Sequence, residues 1–310
     1  MDARRGTALV AVAALALAGC GPARDAAPEP LPQPKAAGPA LRLGVMPEQN
    51  IFRQVERYEP LVRYLGKKLG LKLEVRPVDG YSGIVAALER GDVDGAFLGS
   101  FTYALAHAEA GVEPLARPES ADGRSTYHGL VLVRKDSGLR RAEDLRGKRF
   151  ALVDRATTAY LIALDYLTQA GIHDPASFLG ETYYAGTHED VVRDVFDRRA
   201  DVGAAKNSVF ERMARENPAL GEQLVALARS PDVPESTLAM HPRVAPDVRA
   251  KLKAALLAMD GDADGRKVLE RFGARRFIAT GDADFEIVYR YARKNGIDLS
   301  RPGTPPRHAP

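Results

Sequence analysis

Phe150-Ala151-Leu152-Val153-Asp154-Arg155-Ala156-Thr157-Thr158-Ala159-Tyr160 holds, in eleven residues, the step from which the fold can be read. Its apolar start makes a short strand that ends at Asp154, and two hydroxyl residues open a helix that continues to Ala170. A strand passing into a helix through so short a turn is half of a βαβ unit, whose strands lie in a largely parallel sheet. The same alternation runs upstream. Leu41 to Val45 reads as a strand, Phe52 to Leu69 as a helix with apolar Val55, Leu61, Val62, Leu65 and Leu69, and Leu71 to Pro77 as an alternating strand. Ile84 to Leu88 is helical, Val93 to Leu98 is a buried strand, Thr102 to Ala110 is helical and Leu130 to Val133 is again a strand. Downstream come a strand at Thr182 to Tyr184, a helix at Glu189 to Arg198, a strand at Val202 to Ala205 and a helix at Ser208 to Arg215. Leu224 to Ala228 and Leu238 to His241 are short strands, after which the chain turns helical near Pro246 to Met259, Gly265 to Phe272 and Asp284 to Lys294.

Two α/β halves and a helical return predict an α/β, bilobed body whose chain crosses twice between lobes. The crossings are expected near Val133 to Asp136 and Ser230 to Pro234, so that residues 41–133 with 235–310 form lobe 1 and 134–234 form lobe 2. Loops at the strand C-termini, facing the cleft, would carry the ligand chemistry. No repeat with a solenoid period is visible.

The N-terminal flank reads as a processing signal over residues 1–19. Arg4 and Arg5 precede the apolar run Ala8 to Ala18, which as a helix would reach only about 16 Å, short of a bilayer core of roughly 30 Å. Leu17-Ala18-Gly19-Cys20 looks like a bacterial lipobox, in which the Cys20 thiol is lipidated and becomes the new N-terminus. An ordinary secretory signal with an incidental cysteine is the plainer alternative. Residues 20–40 then form a Pro- and Ala-rich tether, with Pro22, Pro28, Pro30, Pro32, Pro34 and Pro39 favouring extended chain. The expected location is the periplasm or cell surface, held at a membrane by the lipid.

Composition narrows the function. The chain of 310 residues is 45% hydrophobic and 27% charged, which allows a large core. Its 44 Lys+Arg and 41 Asp+Glu are interspersed and leave a net charge of only +3, so no nucleic-acid-binding face is implied. A single cysteine excludes an intramolecular disulfide framework and any Cys-rich metal centre.

The turn at Asp154 to Tyr160 is also the best candidate site. N–H groups at a helix start carry partial positive charge, and the Thr157 and Thr158 hydroxyls add donors, so an oxyanion is the natural guest; Thr is equally an ordinary N-cap. His188, in Tyr184-Ala185-Gly186-Thr187-His188-Glu189, opens the next helix and its imidazole is a further donor, although a lone His at such a place is more often a cap or surface residue. Tyr81 and Tyr127 sit at strand ends or turns, where a phenol reaches an oxyanion or simply packs in a core. Catalytic readings have less behind them. G-x-S-x-G, G-x-x-x-x-G-K-[ST], G-x-G-x-x-G and H-E-x-x-H are all absent from the sequence, and the six histidines show no metal-ligand spacing. Asp260-Gly261-Asp262-Ala263-Asp264-Gly265 suggests a calcium loop but has Arg271 where the twelfth-position Glu is needed, so it reads as a turn between helices. No enzyme activity, metal or cofactor is expected.

In the order of its segments the chain resembles the phosphate/phosphite/phosphonate-binding receptors of ABC transporters, a branch of the type II periplasmic solute-binding fold. The residues that carry the resemblance are Arg57-Tyr58-Glu59-Pro60-Leu61, Gly80-Tyr81-Ser82-Gly83-Ile84, Gly91-Asp92-Val93-Asp94-Gly95-Ala96, Glu143-Asp144-Leu145-Arg146-Gly147-Lys148, Gly186-Thr187-His188-Glu189, Ala200-Asp201-Val202-Gly203-Ala204 and Ser230-Pro231-Asp232-Val233-Pro234. The resemblance implies ligand binding by Tyr81, Tyr127 and His188, and by Thr157, Thr158 and Ala159, which fall on a Ser-Thr-Ser run of the family. The third hydroxyl of that run is lost at Ala159. The acidic residues that hold the amine of an aminoalkylphosphonate fall at Ser208 and Ser236, so such a ligand is not expected. Lys206 would, if it faces the cleft, favour a more anionic guest. Ser100, Lys206, Ser208 and Ser236 are further candidates for the site. The implied protein is a lipid-anchored monomer that closes on a small phosphorus oxyanion and delivers it to an ABC permease. A receptor of the same fold feeding a sensor kinase, and a receptor for an unrelated small solute, are the competing expectations.

Overall fold

The structure is a computed structural model that describes residues 40–299; Cys20, the segment before it and the Pro-rich stretch lie outside them. The chain starts with β1 (Leu41–Val45), α1 (Ile51–Leu69), β2 (Leu73–Pro77), α2 (Tyr81–Arg90), β3 (Gly95–Leu98), α3 (Ser100–Ala110) and β4 (Glu113–Glu119). It continues through β5 (Thr126–Tyr127), β6 (Gly129–Arg134), β7 (Arg149–Leu152), α4 (Thr158–Gln169), α5 (Pro175–Phe178), β8 (Glu181–Tyr184), α6 (His188–Phe196), β9 (Val202–Lys206), α7 (Asn207–Glu216), α8 (Pro218–Gln223) and β10 (Leu224–Arg229). The last part holds β11 (Val233–Pro234), β12 (Thr237–Met240), α9 (Pro246–Leu257), α10 (Ala263–Phe272), β13 (Arg276–Ala279) and α11 (Glu286–Lys294).

These strands form two main sheets. One has the order β13-β4-β12-β3-β1-β2 and the other β10-β6-β9-β7-β8, while β5 and β11 pair only with each other. The sheets are mixed rather than largely parallel. β1, β2 and β3 are parallel to one another, as are β7, β8 and β9, because helices return the chain between them; β12 and β6, which arrive directly from the crossings, insert antiparallel. Besides the short pair β5 and β11, two strands of the larger sheet escape the sequence pattern. β4 carries Pro114 and Pro118, which normally argue against an interior strand, yet it lies between β12 and β13 with an irregular register opposite Leu238 and Ala239. β13 is a four-residue edge strand.

The first crossing lies upstream of its expected place. Leu130 to Val133, assigned to lobe 1 from the sequence, belongs to β6, which pairs with β9 and β10 in the second sheet. The reason is burial on both faces: Leu130 and Leu132 pack into one core cluster and Val131 and Val133 into another, so the strand must sit inside a sheet with helices on each side. The ribbon β5–β11, in which Val233 faces Tyr127 and Pro234 faces Thr126, therefore joins the two lobes.

Gly129, at the start of β6, sets how closely that strand packs on α4 within the second lobe. A Cβ there would stand 2.7 Å from the Ile162 side chain and 3.2 Å from the Ala159 Cα, so only glycine lets β6 approach the start of α4. The other lobe has its own anchor, where Tyr58, Phe97 and Phe272 stack with ring centroids 4.7 and 5.1 Å apart beside Tyr58. Burying rings of this size contributes roughly 1.5–3 kcal/mol each.

A cleft built from helix starts

β7 ends at Leu152 and the turn brings Thr157 to the N-cap of α4. The Thr157 hydroxyl accepts the Tyr160 N–H at 3.2 Å and donates to the Asp154 carbonyl at 2.8 Å, so it is engaged in the cap. Thr158, the first helical residue, is placed differently. Its Oγ1 is 2.9 Å from the Tyr127 hydroxyl, which also accepts the Ser100 N–H at 3.0 Å from the start of α3. When the Tyr127 hydroxyl donates the hydrogen bond to Thr158, the threonine O–H is left to donate to a third group. Ala159 is buried, and its N–H belongs to the first turn, where a helix offers no partner of its own.

His188 is the first residue of α6, after Thr187, whose hydroxyl caps the helix by accepting the Asp190 N–H at 3.0 Å. The imidazole is buried, and burial holds its pKa down to about 3, so it is neutral at pH 7. Its Nδ1 accepts the Lys206 N–H at 3.1 Å, which leaves the ring proton on Nε2 as a donor. Tyr81 faces this ring edge-on, with centroids 5.7 Å apart. Burial pushes the Tyr81 and Tyr127 phenols up, so both are neutral donors. The contacts thus link Tyr81, His188, Lys206, Tyr127, Thr158 and Ser100 around one place between the lobes.

Lys206 faces the cleft, but its ammonium is committed. Nζ lies 2.9 Å from Glu48 Oε1, 2.5 Å from Glu235 Oε1 and 3.3 Å from Ser236 Oγ, and 4.3 Å from the Tyr127 ring centroid. Burial opposes the charge, yet Glu235 and Glu48 outweigh it and push the lysine pKa up. Burial likewise pushes the Glu48 carboxyl up, but Lys206 and Arg57 overcome it and hold it at about 2. Two carboxylates therefore stand beside Ser236, where the sequence predicts none. They come from positions that the sequence does not mark, and Lys206 neutralises them. Ser208 lines the adjoining cleft of about 470 Å³, together with Arg57, Arg124, Arg212 and Glu235. The Ser100 hydroxyl points to the ribbon, donating to the Pro234 carbonyl at 2.6 Å.

Asp154 is the residue whose role sequence reasoning missed altogether. From the second lobe it accepts the Tyr81 and Ser82 N–H groups at 3.2 Å each and the Ser82 hydroxyl at 2.6 Å, completing the start of α2 in the first lobe. Gly80, at φ 74°, makes the approach: α2 has no side-chain cap of its own. The signal was the carboxylate at the strand end, which reads as a local cap until the partner is known. The Asp260 to Gly265 stretch is a turn, with Asp262 capping α10 by accepting the Asp264 N–H at 2.9 Å.

Comparison with known proteins identifies the family. Residues 43–285 match the family described as ABC transporter, phosphonate, periplasmic substrate-binding protein. The chain is 24% identical over 257 residues to the phosphonates-binding periplasmic protein of Escherichia coli strain K12, covering 82% of this chain and 76% of that protein. It is 26% identical over 265 residues to the phosphate-import protein PhnD of Mycolicibacterium smegmatis, covering 82% and 80%. A solved structure of PhnD1 from Prochlorococcus marinus in complex with methylphosphonate superposes with a TM-score of 0.72 at 22% identity, over 82% of this chain and 97% of that one, a likeness of fold. Type II receptor topology and the family match agree: this chain belongs to the periplasmic substrate-binding proteins of phosphonate ABC transporters.

Proposed function

We infer that the protein is the substrate-binding lipoprotein of an ABC importer and that its lobes close over a small phosphorus oxyanion, phosphate, phosphite or a simple phosphonate. The observation that carries the reading is the set of neutral donors at one place: the Thr158 hydroxyl joined to Tyr127, the Nε2–H of a neutral His188, the Tyr81 phenol and the first turn of α4. Donors of this kind, fixed in a dry cleft, make charge-assisted hydrogen bonds to an anion without the cost of desolvating a second ion. Thr157 supports the site through the cap, and Ala159 contributes its backbone. The relatives named for phosphonate and phosphate, and the methylphosphonate complex, point to the same ligand class.

On this reading the lobes divide at the β5–β11 ribbon, the body works as a monomer, and Cys20 carries the lipid that holds it near its permease. Isothermal titration of the chain from residue 37 onward, stripped of ligand by unfolding and refolding, is the test. Heat is expected with phosphate, phosphite or methylphosphonate, and Thr158→Val and His188→Ala should each weaken binding by about 1–3 kcal/mol. No heat with any of the three would sink the proposal.

A further inference from the structure

We propose that Lys206 is a built-in cation that fills an ammonium cage beside the oxyanion site and thereby excludes guests that carry an amine. The inference rests on the ligand class proposed above and names what sets specificity within it. The cage has three acceptors and an aromatic face: Glu48 Oε1, Glu235 Oε1, Ser236 Oγ and the Tyr127 ring, all within reach of Nζ. An ammonium has three donors, and each meets one acceptor while the ring covers its remaining side.

The walls are themselves braced. Ser236 donates its N–H to Glu235 at 2.8 Å and its hydroxyl to Glu48 at 3.2 Å, and Arg57 Nη1 stands 3.9 Å from Glu48 Oε2. The walls come from the loop after β1, from β5 and from the segment after β11, so their geometry does not depend on β9, which supplies the lysine. Lys206 and Arg57 balance Glu48 and Glu235. Without the lysine the same walls would carry excess negative charge, separated from the Thr158 hydroxyl by a single tyrosine ring. That spacing suits a guest with an ammonium at one end and a phosphorus oxyanion at the other. With Lys206 in place a second ammonium would meet like charge, and the carboxylate oxygens and hydroxyl that face it are already occupied by Nζ. Lys206 is therefore a specificity residue: its Nζ acts on the substituent of the guest, while its backbone N–H orients His188.

The test is substitution of Lys206 with chemical replacement of the lost cation. Lys206→Ala should unfold at lower temperature than the parent, and propylammonium chloride at millimolar concentration should restore much of the difference, whereas sodium chloride and propan-1-ol should not. In titrations the parent should prefer ethylphosphonate to 2-aminoethylphosphonate, and Lys206→Ala should shift that ratio toward the amine at least tenfold. Propan-1-ol restoring the variant as well as propylammonium, or an unchanged ratio, would overturn the cage. If neither protein binds any phosphorus oxyanion but propylammonium still restores the variant, the ligand class fails and the cage stands. If the parent binds phosphonates and the variant shows neither effect, the cage fails alone. Should Lys206→Ala not fold, Lys206→Arg decides: it should keep excluding 2-aminoethylphosphonate, and binding that ligand as well as ethylphosphonate would overturn the proposal.

Discussion

The two lobes follow one plan, yet α2 in the first and its counterpart α6 in the second finish their starts in opposite ways. In each sheet three parallel strands feed three helices, β1, β2 and β3 into α1, α2 and α3, and β7, β8 and β9 into α4, α6 and α7. Tyr81 at the start of α2 and His188 at the start of α6 hold equivalent places and meet edge to face across the cleft. In the second lobe the caps are local, Thr157 for α4 and Thr187 for α6. In the first lobe α2 begins at Gly80 and receives its acceptor from Asp154 of the other lobe. The start of α6 is thus completed within its own lobe and that of α2 by contact with the other, while α1 of the same lobe as α2 is capped locally by Asn50. The difference teaches that contact between the lobes contributes to the local stability of α2.

The largest expected effect concerns the pair Tyr81 and His188. The His188 pKa lies at about 3 in the fold against an ordinary 6.5, so below pH 6.5 the unfolded chain takes up a proton that the fold refuses. The stability this contributes is complete above pH 6.5 and falls as pH drops toward 3. Glu48, held at about 2, begins to lose its contribution only below its ordinary 4.5, so the window from pH 6.5 to 4.5 isolates the histidine. Over that window the parent should lose about 2–3 kcal/mol more than His188→Asn, as read by urea unfolding at both pH values. Equal losses would mean that the fold does not keep His188 unprotonated over this window.

A smaller effect is expected at the borrowed cap. Asp154→Ala should cost about 1–2 kcal/mol and speed amide exchange at Tyr81 and Ser82, on the opposite lobe from the substitution. Unchanged exchange there would break the contrast between borrowed and local caps. The smallest effect is at Thr157, where Val should cost about 1 kcal/mol and speed exchange only within the first turn of α4. Exchange that spread to α2 would show that the second lobe's caps are not local after all.

The sequence made the α/β alternation and most elements legible because their signals are local: the run 150–153, the apolar face of α1, the Gly and hydroxyl residues at helix ends. It misled where context decides. β4 holds two prolines and is tolerated inside the sheet only with a register irregularity against β12. β6 reads as a strand but falls in lobe 1 by sequence order, because the pairing with β9 and β10 that decides its sheet involves residues more than sixty positions away. In the site, Thr158 and His188 stand out in the sequence by their place at helix starts, Tyr127 by a strand end or turn, and all three by resemblance; the structure brings them near one another. Glu48 and Glu235 do not stand out, because nothing in Met46-Pro47-Glu48 or Pro234-Glu235-Ser236 hints that they converge on Lys206 from 158 and 29 residues away.

The ribbon β5–β11 has a kinetic consequence. Tyr127 lies on it, with its hydroxyl on Thr158 of one lobe and its ring against the Lys206 ammonium, which Glu48 holds from the other lobe. A twist of the ribbon shears these contacts in one movement. If the lobes close over a ligand as proposed above, opening and release would share one barrier, and a partner that turned the ribbon would speed release without touching the guest.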